Sequence, residues 1–411
     1  MPGIVWRDVD MDAAHIQEWL NIVVRLVHVV AAIMWIGDSF LFMFLDKSLE
    51  TPREERKGAV IGELWMTHGG GFYELVKRSS LRQEELPPVL HWFKWESYTT
   101  WITGFLLLIV VYYLGGATLL IEPTVAKLTP WQAAGISMGV LAGGWLVYDT
   151  LCTLLVKRVY ILAVLCFAFV IGVTWGLTHV FSGRAVFLHA GAMMATCMTA
   201  NVFFRIIPGQ KRMMADTLAG REVDTSYGVR AKVRSTHNHY ITLPVLLTML
   251  SNHFPMLYSH SQSWLILALL CIFGAGVKHF MNVKFSIHPA LGLITVGAFG
   301  GIVWMTAPKA IVVQPPPPDA AQVSFARAQA IIQSRCVTCH AAKTTHPSFP
   351  EAPGGVMFDS PENIERYADR IYIRAVETRT MPVGNLTNIT DEERKELGIW
   401  YAQRAKQASP Q

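Results

Sequence analysis

The chain has 411 residues, of which 52% are hydrophobic and only 16% are charged, and its formal net charge at pH 7 is +5. Apolar runs of about 20 residues, the length that spans a bilayer, recur as far as position 306, which excludes an ordinary soluble enzyme. The net charge does not indicate nucleic-acid binding, because the basic residues lie between the apolar runs.

The apolar runs predict a polytopic, all-α membrane bundle. Residues 1–18 are polar and acidic and do not resemble a cleavable signal peptide, so the first span is expected to direct insertion itself. The predicted spans, eight in all, are 19–45, 98–114, 131–155, 159–180, 184–207, 240–258, 263–281 and 288–306. Between the first two, the apolar pattern of residues 46–97 predicts an amphipathic helix on the membrane surface, interrupted at Gly69–Gly71.

A proline run at 315–318 predicts an extended spacer and divides the chain. The membrane domain is predicted at 1–312, the proline-rich linker at 313–320 and a separate domain at 321–411. In that last part, a helix is expected from Phe325 to Gln333. A capping box at 390–393 opens a final helix, whose Trp400 and Tyr401 are expected to pack against Phe325.

The last domain carries the sequence Cys336-Val337-Thr338-Cys339-His340. Two cysteines three apart, followed directly by histidine, are the signature for covalent attachment of a c-type haem. We expect Cys336 and Cys339 to form the thioethers, and His340 and Met381 to be the two axial ligands of the iron. Zinc is the alternative, but it prefers four ligands, and only His346 is spare here. From the haem motif to the final aromatic helix, the domain resembles a class I cytochrome c.

The charges predict an orientation. Haem is attached to such motifs on the outer face of the bacterial inner membrane, and eight spans then place both termini in the periplasm. The segments predicted to face the cytoplasm contain 19 Lys and Arg residues and those predicted to face outward contain 4, as the positive-inside rule requires.

Ionisable side chains inside the spans are candidates for function, because they are costly to bury. His28 on the first span and His189 on the fifth are predicted at similar depth in the outer half of the bilayer. They could hold a b-type haem between them, or they could pair with Asp38, Asp149 or backbone carbonyls and brace the bundle. The string from His28 to Gly37 resembles the first helix of protoporphyrinogen-oxidising membrane proteins and of related copper-resistance proteins.

The whole layout resembles a more specific family. The segments 67–72, 95–98, 236–240 and 251–255, on an eight-span unit followed by one cytochrome, resemble the bacterial membrane-bound urate hydroxylases. The resemblance implies oxidation of urate to 5-hydroxyisourate, with electrons passed to the C-terminal haem c and on to a respiratory acceptor rather than directly to oxygen.

Composition and motif spacing alone reach only a membrane-anchored redox protein with a periplasmic haem. A non-catalytic electron conduit, from quinol or a partner complex to the cytochrome, is the main alternative. A haem–copper oxidase subunit is disfavoured by the span count and by the absence of an adjacent histidine pair. Candidate residues for binding or converting an anionic purine are Arg25, Asp38, Asn238 and Asn252, besides the inner-loop cations Arg230, Lys232 and Arg234.

Overall fold

The computed structural model describes residues 13–114, 117–283, 288–307, 321–346 and 352–408, and these are mostly helical, as predicted. The predicted linker at 313–320 and the N-terminal residues 1–12 lie outside the described residues.

A helix coincides with each predicted span. The bundle helices are α1 (Ala13–Ser48), α2 (Trp95–Leu107), α3 (Pro130–Leu154), α4 (Val159–Leu177), α5 (Gly183–Asn201), α6 (Ile207–Leu218), α7 (Ser226–Leu250), the short α8 (Pro255–Tyr258), α9 (Ser263–Asn282) and α10 (Pro289–Thr306). Within the described ranges, six helical segments are long and apolar enough to cross a membrane. Because α2 and α7 are not among these six, the total of eight spans stays a prediction.

Two of the bundle segments continue through π-helical turns. The chain passes from α2 through such a turn at Leu108–Tyr113, and from α5 into α6 through another at Val202–Ile206. Turns of this kind widen the helix locally and are frequent at functional sites.

The helix that runs from α5 into α6 lies at the centre of the bundle. In its most apolar stretch, 72% of the residues are buried inside the protein. In the corresponding stretch of α1, which lies at the edge, only 6% are buried. Phe187 and Met193 on α5 pack with Ile266 and Leu267 on α9 in the main core. Side chains on α5 are therefore enclosed by protein, whereas most of α1 faces outward.

Local sequence sets where several helices begin. Thr129 accepts a hydrogen bond from the Gln132 amide at 3.3 Å and precedes Pro130, whose fixed φ suits a first helical turn. Ser182 caps α5 in the same way, through the Ala185 amide at 3.4 Å. These caps satisfy amides that would otherwise lack partners at the helix ends.

The expectation of an amphipathic helix within residues 46–97 is wrong. The chain forms an antiparallel hairpin of β1 (Val60–His68) and β2 (Gly71–Arg78), with Thr67 opposite Phe72. Gly69 and Gly70 form the two-residue turn, and both have positive φ (58° and 83°), as this turn type requires. The prediction that the regular structure is interrupted at Gly69–Gly71 is correct, but the interruption is a turn between two strands and not a break in a helix.

The last part of the chain forms a second small helical unit with its own core. Its helices are α11 (Phe325–Arg335), α12 (Pro361–Arg366), α13 (Ala368–Ile371) and α14 (Asp391–Ala408), with a π-helical turn at Tyr372–Glu377. The predicted capping box is confirmed, because the Thr390 amide donates to Glu393 at 2.8 Å and the Glu393 amide donates to Thr390 at 3.1 Å. Trp400 lies against Phe325 as predicted, whereas Tyr401 stacks on Tyr372 instead.

This C-terminal unit touches one end of the bundle. Arg374 donates a hydrogen bond to Ser259 at 3.4 Å, and a Cβ on Gly384 would lie 2.9 Å from the Thr118 carbonyl oxygen. Thr118 follows the far end of the α2 segment, and Ser259 follows α8. The unit therefore lies beside the segments that the charge pattern assigns to the outer face, and away from the β-hairpin.

We predict that this end faces the periplasm. A reporter fused after Gly209, in the basic segment at the other end, should be active only in the cytoplasm, because Lys and Arg are retained there. A reporter fused after Ser261 should be active only outside. Paired phosphatase and fluorescent-protein fusions measure both positions, and the reverse pattern would contradict the orientation.

Candidate active site

A cavity of about 500 Å³ lies at the end of the bundle opposite the C-terminal unit. It is bounded by the second half of α1, the start of α2, the α5–α6 junction and α7, and is completed by the chain between β2 and α2. Cavities of a few hundred cubic ångströms are the usual size for small-molecule sites. Val202 and Ile206 of the second π-helical turn contribute to its wall.

Part of the cavity wall is aromatic. Trp35 and Phe42 on α1 face Trp92 and Phe93 from the segment before α2, and the Phe42 and Phe93 rings meet edge to face with centroids 4.9 Å apart. Flat aromatic walls favour a flat, conjugated ligand, which buries both faces against them.

The other part of the wall carries proton-exchanging groups. Ser39 on α1 and His239 on α7 both line the cavity, and the serine Oγ lies 2.7 Å from the imidazole Nδ1. Asp38 and Glu96 line the same cavity. Two carboxylates and an oriented imidazole in one cavity can accept and release protons from a bound ligand.

The side-chain amide of Asn238, the residue before His239, is fixed by hydrogen bonds within the protein. Its Oδ1 accepts from Asn201 Nδ2 at 2.9 Å, and its Nδ2 donates to the Met198 carbonyl at 3.0 Å. Asn201 also donates to the Tyr148 hydroxyl at 2.9 Å and accepts from Arg234 at 3.3 Å. Because both ends of the amide are already bonded, Asn238 presents itself to the cavity in one orientation.

The four residues predicted to act on the substrate separate into two groups. Asp38 and Asn238 line the cavity. Arg25 is exposed and bonds Asn21 at 2.8 Å, one turn away on α1. Asn252 lies towards the other end of the bundle, where it accepts from Tyr112 at 3.5 Å. The structure therefore does not bring these four residues together.

Sequence reasoning missed part of the site. Ser39, Glu96, Arg78 and His239 line the cavity but were not chosen as candidates. Glu96 and His239 stand within the sequence strings 95–98 and 236–240, which carry the family resemblance, so that signal could have identified them. The inner-loop cation Arg234 is instead buried and paired with Asp149 at 2.8 Å.

His28 lies against α2. Its Nδ1 is 3.0 Å from the Thr100 carbonyl oxygen and 3.1 Å from Thr103 Oγ1. His28 thus has the backbone-bracing contacts that were the alternative to haem ligation.

His189 is fully enclosed. Its Nδ1 lies 2.7 Å from the Ala185 carbonyl, its Nε2 lies 2.6 Å from Ser137 Oγ, and the rings of Tyr112 and Phe181 flank it. Tyr112 lies about 15 Å further along the α2 segment than the Thr100–Thr103 turn that holds His28. The structure therefore places His28 and His189 at different depths, and both nitrogens of His189 have partners within the protein.

The cysteines of the haem motif lie on one helical turn directly after α11. The Cys339 amide donates to the Cys336 carbonyl at 3.2 Å, and the His340 amide donates to the same carbonyl at 2.9 Å. His340 Nδ1 lies 2.9 Å from the Val356 carbonyl oxygen, so that the ring N–H is bonded there and Nε2 is left to bind a metal. Burial raises the pKa of the Cys336 thiol to about 12, which keeps it uncharged. This arrangement fits a c-type haem.

The predicted second ligand, Met381, lies in a loop held by its backbone. Its amide donates to the Arg374 carbonyl at 2.9 Å, and its own carbonyl accepts from the Arg394 guanidinium at 2.8 Å. Arg394 on α14 is buried and also donates to the Ala375 carbonyl. Burial lowers the pKa of this guanidinium, because its charge is taken out of water. Arg394 is thus a supporting residue of the predicted haem site that the sequence did not reveal.

Within the described ranges, no three His, Cys, Asp or Glu side chains are arranged to hold a bare metal ion. Fold and site together define a helical protein with long apolar helices and a cavity lined by aromatic, hydroxyl, imidazole and carboxylate side chains.

Residues 14–307 match the family described as Urate oxidase N-terminal, and the chain belongs to that family. The matched range contains the whole cavity and ends before the C-terminal unit. No curated protein and no solved structure shows a significant match to the chain.

We predict that haem c is covalently attached at Cys336 and Cys339 and that Met381 is its sixth ligand. Met381→Ala should lower the haem reduction potential by on the order of 0.1 V, because a methionine ligand stabilises the reduced iron. Arg394→Met should weaken the methionine–iron bond without removing the covalent haem, while costing about 2 kcal/mol of stability through the lost carbonyl contacts. Haem staining after denaturation and redox titration of the full chain measure these effects; an unstained wild-type band would contradict the prediction.

A second prediction concerns a haem in the bundle. In the full chain carrying Cys336→Ala and Cys339→Ala, any remaining haem must be non-covalent, and pyridine haemochrome spectra of the purified protein count it. Since His189 has both nitrogens bonded within the protein, His189→Ala should leave any such haem in place. Loss of that haem only when His189→Ala is added to the double cysteine variant would show that the imidazole gives up its contacts with Ala185 and Ser137 to bind iron.

Proposed function

We propose that the protein oxidises urate to 5-hydroxyisourate in the cavity beside Ser39 and His239, and that the electrons pass to haem c on the C-terminal unit and on to the respiratory chain. The match over residues 14–307 carries this proposal, because it covers the part of the chain that forms the cavity. We place the protein in the bacterial inner membrane, with the C-terminal unit in the periplasm.

The chemistry balances without oxygen. Urate takes one oxygen atom from water and releases two protons and two electrons as it becomes 5-hydroxyisourate. The two electrons require a one-electron acceptor that is used twice per urate, and haem c would serve when bound at Cys336, Cys339, His340 and Met381 if the respiratory chain reoxidises it after each electron. Because water is the oxygen donor, hydrogen peroxide is not a stoichiometric product.

The cavity wall suits this substrate. Urate is a flat, conjugated purine, and Trp35, Phe42 and Trp92 offer it aromatic faces. Its ring N–H and carbonyl groups need hydrogen-bond partners, and the fixed amide of Asn238 with Ser39 can provide them. A purine that lacks these groups would leave the polar wall unpaired, so the cavity is selective for oxidised purines.

The two protons also need acceptors in the cavity. The His239 imidazole, oriented by Ser39, can remove a proton from a purine nitrogen as electrons are withdrawn. Asp38 and Glu96 are placed to take the proton from the attacking water.

The cavity and the C-terminal unit lie at opposite ends of the bundle. From Glu96, in the cavity wall, to Tyr113, near the docked unit, the α2 segment rises about 25 Å. Under the predicted orientation, the cavity lies towards the cytoplasm and the haem towards the periplasm. Because urate gives up two electrons and haem c takes one at a time, we also propose a second redox centre in the bundle, the b-type haem held by histidines that the sequence predicts.

The electron transfer is tested without oxygen. Purified oxidised protein is mixed anaerobically with urate, and the haem absorption bands are followed; we expect reduction by urate to the extent reached with dithionite. In a parallel sample, quinol should not reduce the haem. Reduction by quinol and not by urate would favour the electron-conduit alternative.

The site is tested by two variants of matched type. Asp38→Asn should lower kcat for urate oxidation by about 100-fold, because it removes a proton acceptor from the cavity. Arg25→Gln, on the same helix but outside the cavity, should leave kcat within about twofold of wild type. Steady-state oxidation with an external one-electron acceptor measures both, and equal losses would place the site elsewhere.

A further inference from the structure

Lys278 on α9 is fully buried, with 0% of its surface exposed. Its Nζ has no hydrogen-bond partner among the described residues and lies 3.3 Å from the centroid of the Phe40 ring on α1. One turn further along α9, the buried Oδ1 of Asn282 also lacks a partner within that part of the chain. Two unsatisfied polar atoms on one face of one helix need an explanation, because native proteins rarely leave such groups unpaired.

The protein itself does not compensate this charge. Taking an unpaired ammonium out of water is costly. The contact with the Phe40 ring offsets only part of that cost. Lys232 is different, because it is exposed and forms an ion pair with Asp46. Within the described residues, then, Lys278 is a buried cation without a counter-ion.

Lys278 lies next to the cavity. Three helices meet at its level: Ser39 of α1 bonds His239 of α7, Phe40 of α1 contacts Lys278, and Tyr240 of α7 bonds His279 of α9 at 2.7 Å. Ser39 and His239 both line the cavity. Lys278 therefore lies behind the side of the cavity that Ser39 and His239 form, close enough for its charge to act on a bound ligand through a low-dielectric interior.

We propose that Lys278 provides the counter-charge for an anionic, flat heterocycle bound in the cavity, and that it thereby selects the urate anion over neutral purines. The inference rests on the proposed function, since urate carries one negative charge at neutral pH. In a low-dielectric interior an attraction of this kind is weakly screened, so it persists at salt concentrations that suppress surface electrostatics.

The experiment measures urate binding and thermal stability on the full-length oxidised protein. Equilibrium dialysis with radiolabelled urate gives the dissociation constant, and melting curves with and without urate give the ligand-induced shift. The variants are Lys278→Met, which keeps the length and removes the charge, Lys278→Arg, which keeps the charge, and the control Lys232→Met at the exposed, paired lysine.

We expect Lys278→Met to weaken urate binding by about tenfold or more, and Lys278→Arg and Lys232→Met to stay within about threefold of wild type. Without urate, Lys278→Met should melt at least about 2 °C above wild type, because an uncompensated buried charge is removed. A residue that only packs against Phe40 would show the opposite sign, with a lower melting temperature and an unchanged dissociation constant, and that result would overturn the inference.

Two further outcomes are distinguishable. Unchanged urate binding by Lys278→Met overturns the role of Lys278 and leaves the proposed function standing. Absence of urate binding by the wild-type protein overturns the proposed function, and this inference with it. Should Lys278→Met fail to fold, Lys278→Gln replaces it under the same criterion.

Discussion

The arrangement of the bundle depends on a hydrogen-bonded cluster around Asn201, in the last turn of α5. This fully buried amide connects Tyr148 on α3 with Asn238 and Arg234 on α7, and Arg234 in turn pairs with Asp149. Apolar packing between helices is weakly specific in a lipid environment, because lipid tails compete for the same contacts. Directional bonds from one amide to two other helices therefore set the register of α3, α5 and α7.

The register of these three helices determines which side chains line the cavity. Because hydrogen bonds within the protein hold Asn238, the next residue, His239, meets Ser39 on α1, although most of the surface of α1 faces outward. The π-helical turn directly after Asn201 widens the chain where the cavity wall requires it. The positions of Ser39 and His239 in the cavity thus follow from a structural cluster to which neither of them belongs.

The sequence was sufficient to locate most helices, but it did not show which residues of different helices contact each other. Apolar length predicted a segment at which the structure has a helix in every case, although it did not predict α6. The cap at Thr390 located the last helix, because these signals depend on short stretches of chain. The hairpin was missed because apolar residues within 60–76 fit a helical period as well as a strand. His28 and His189 have similar predicted depths in the bilayer. In the structure, His28 on α1 lies against α2 and His189 is enclosed near α3, and only tertiary packing decides this.

The count of charged residues shows most clearly that a sequence does not reveal which side chains contact each other. Every Lys and Arg near the inner end supports the positive-inside pattern, and the count treats them alike. In the structure, Lys232 is a surface ion pair, Arg234 is bonded into the Asn201 cluster, and Lys278 is buried without a counter-ion. An excess of positive charge at that end also attracts anions towards the cavity by long-range electrostatics. The surface cations can thus raise the local concentration of an anionic purine, while selection among purines requires a charge inside, where water and salt do not screen it.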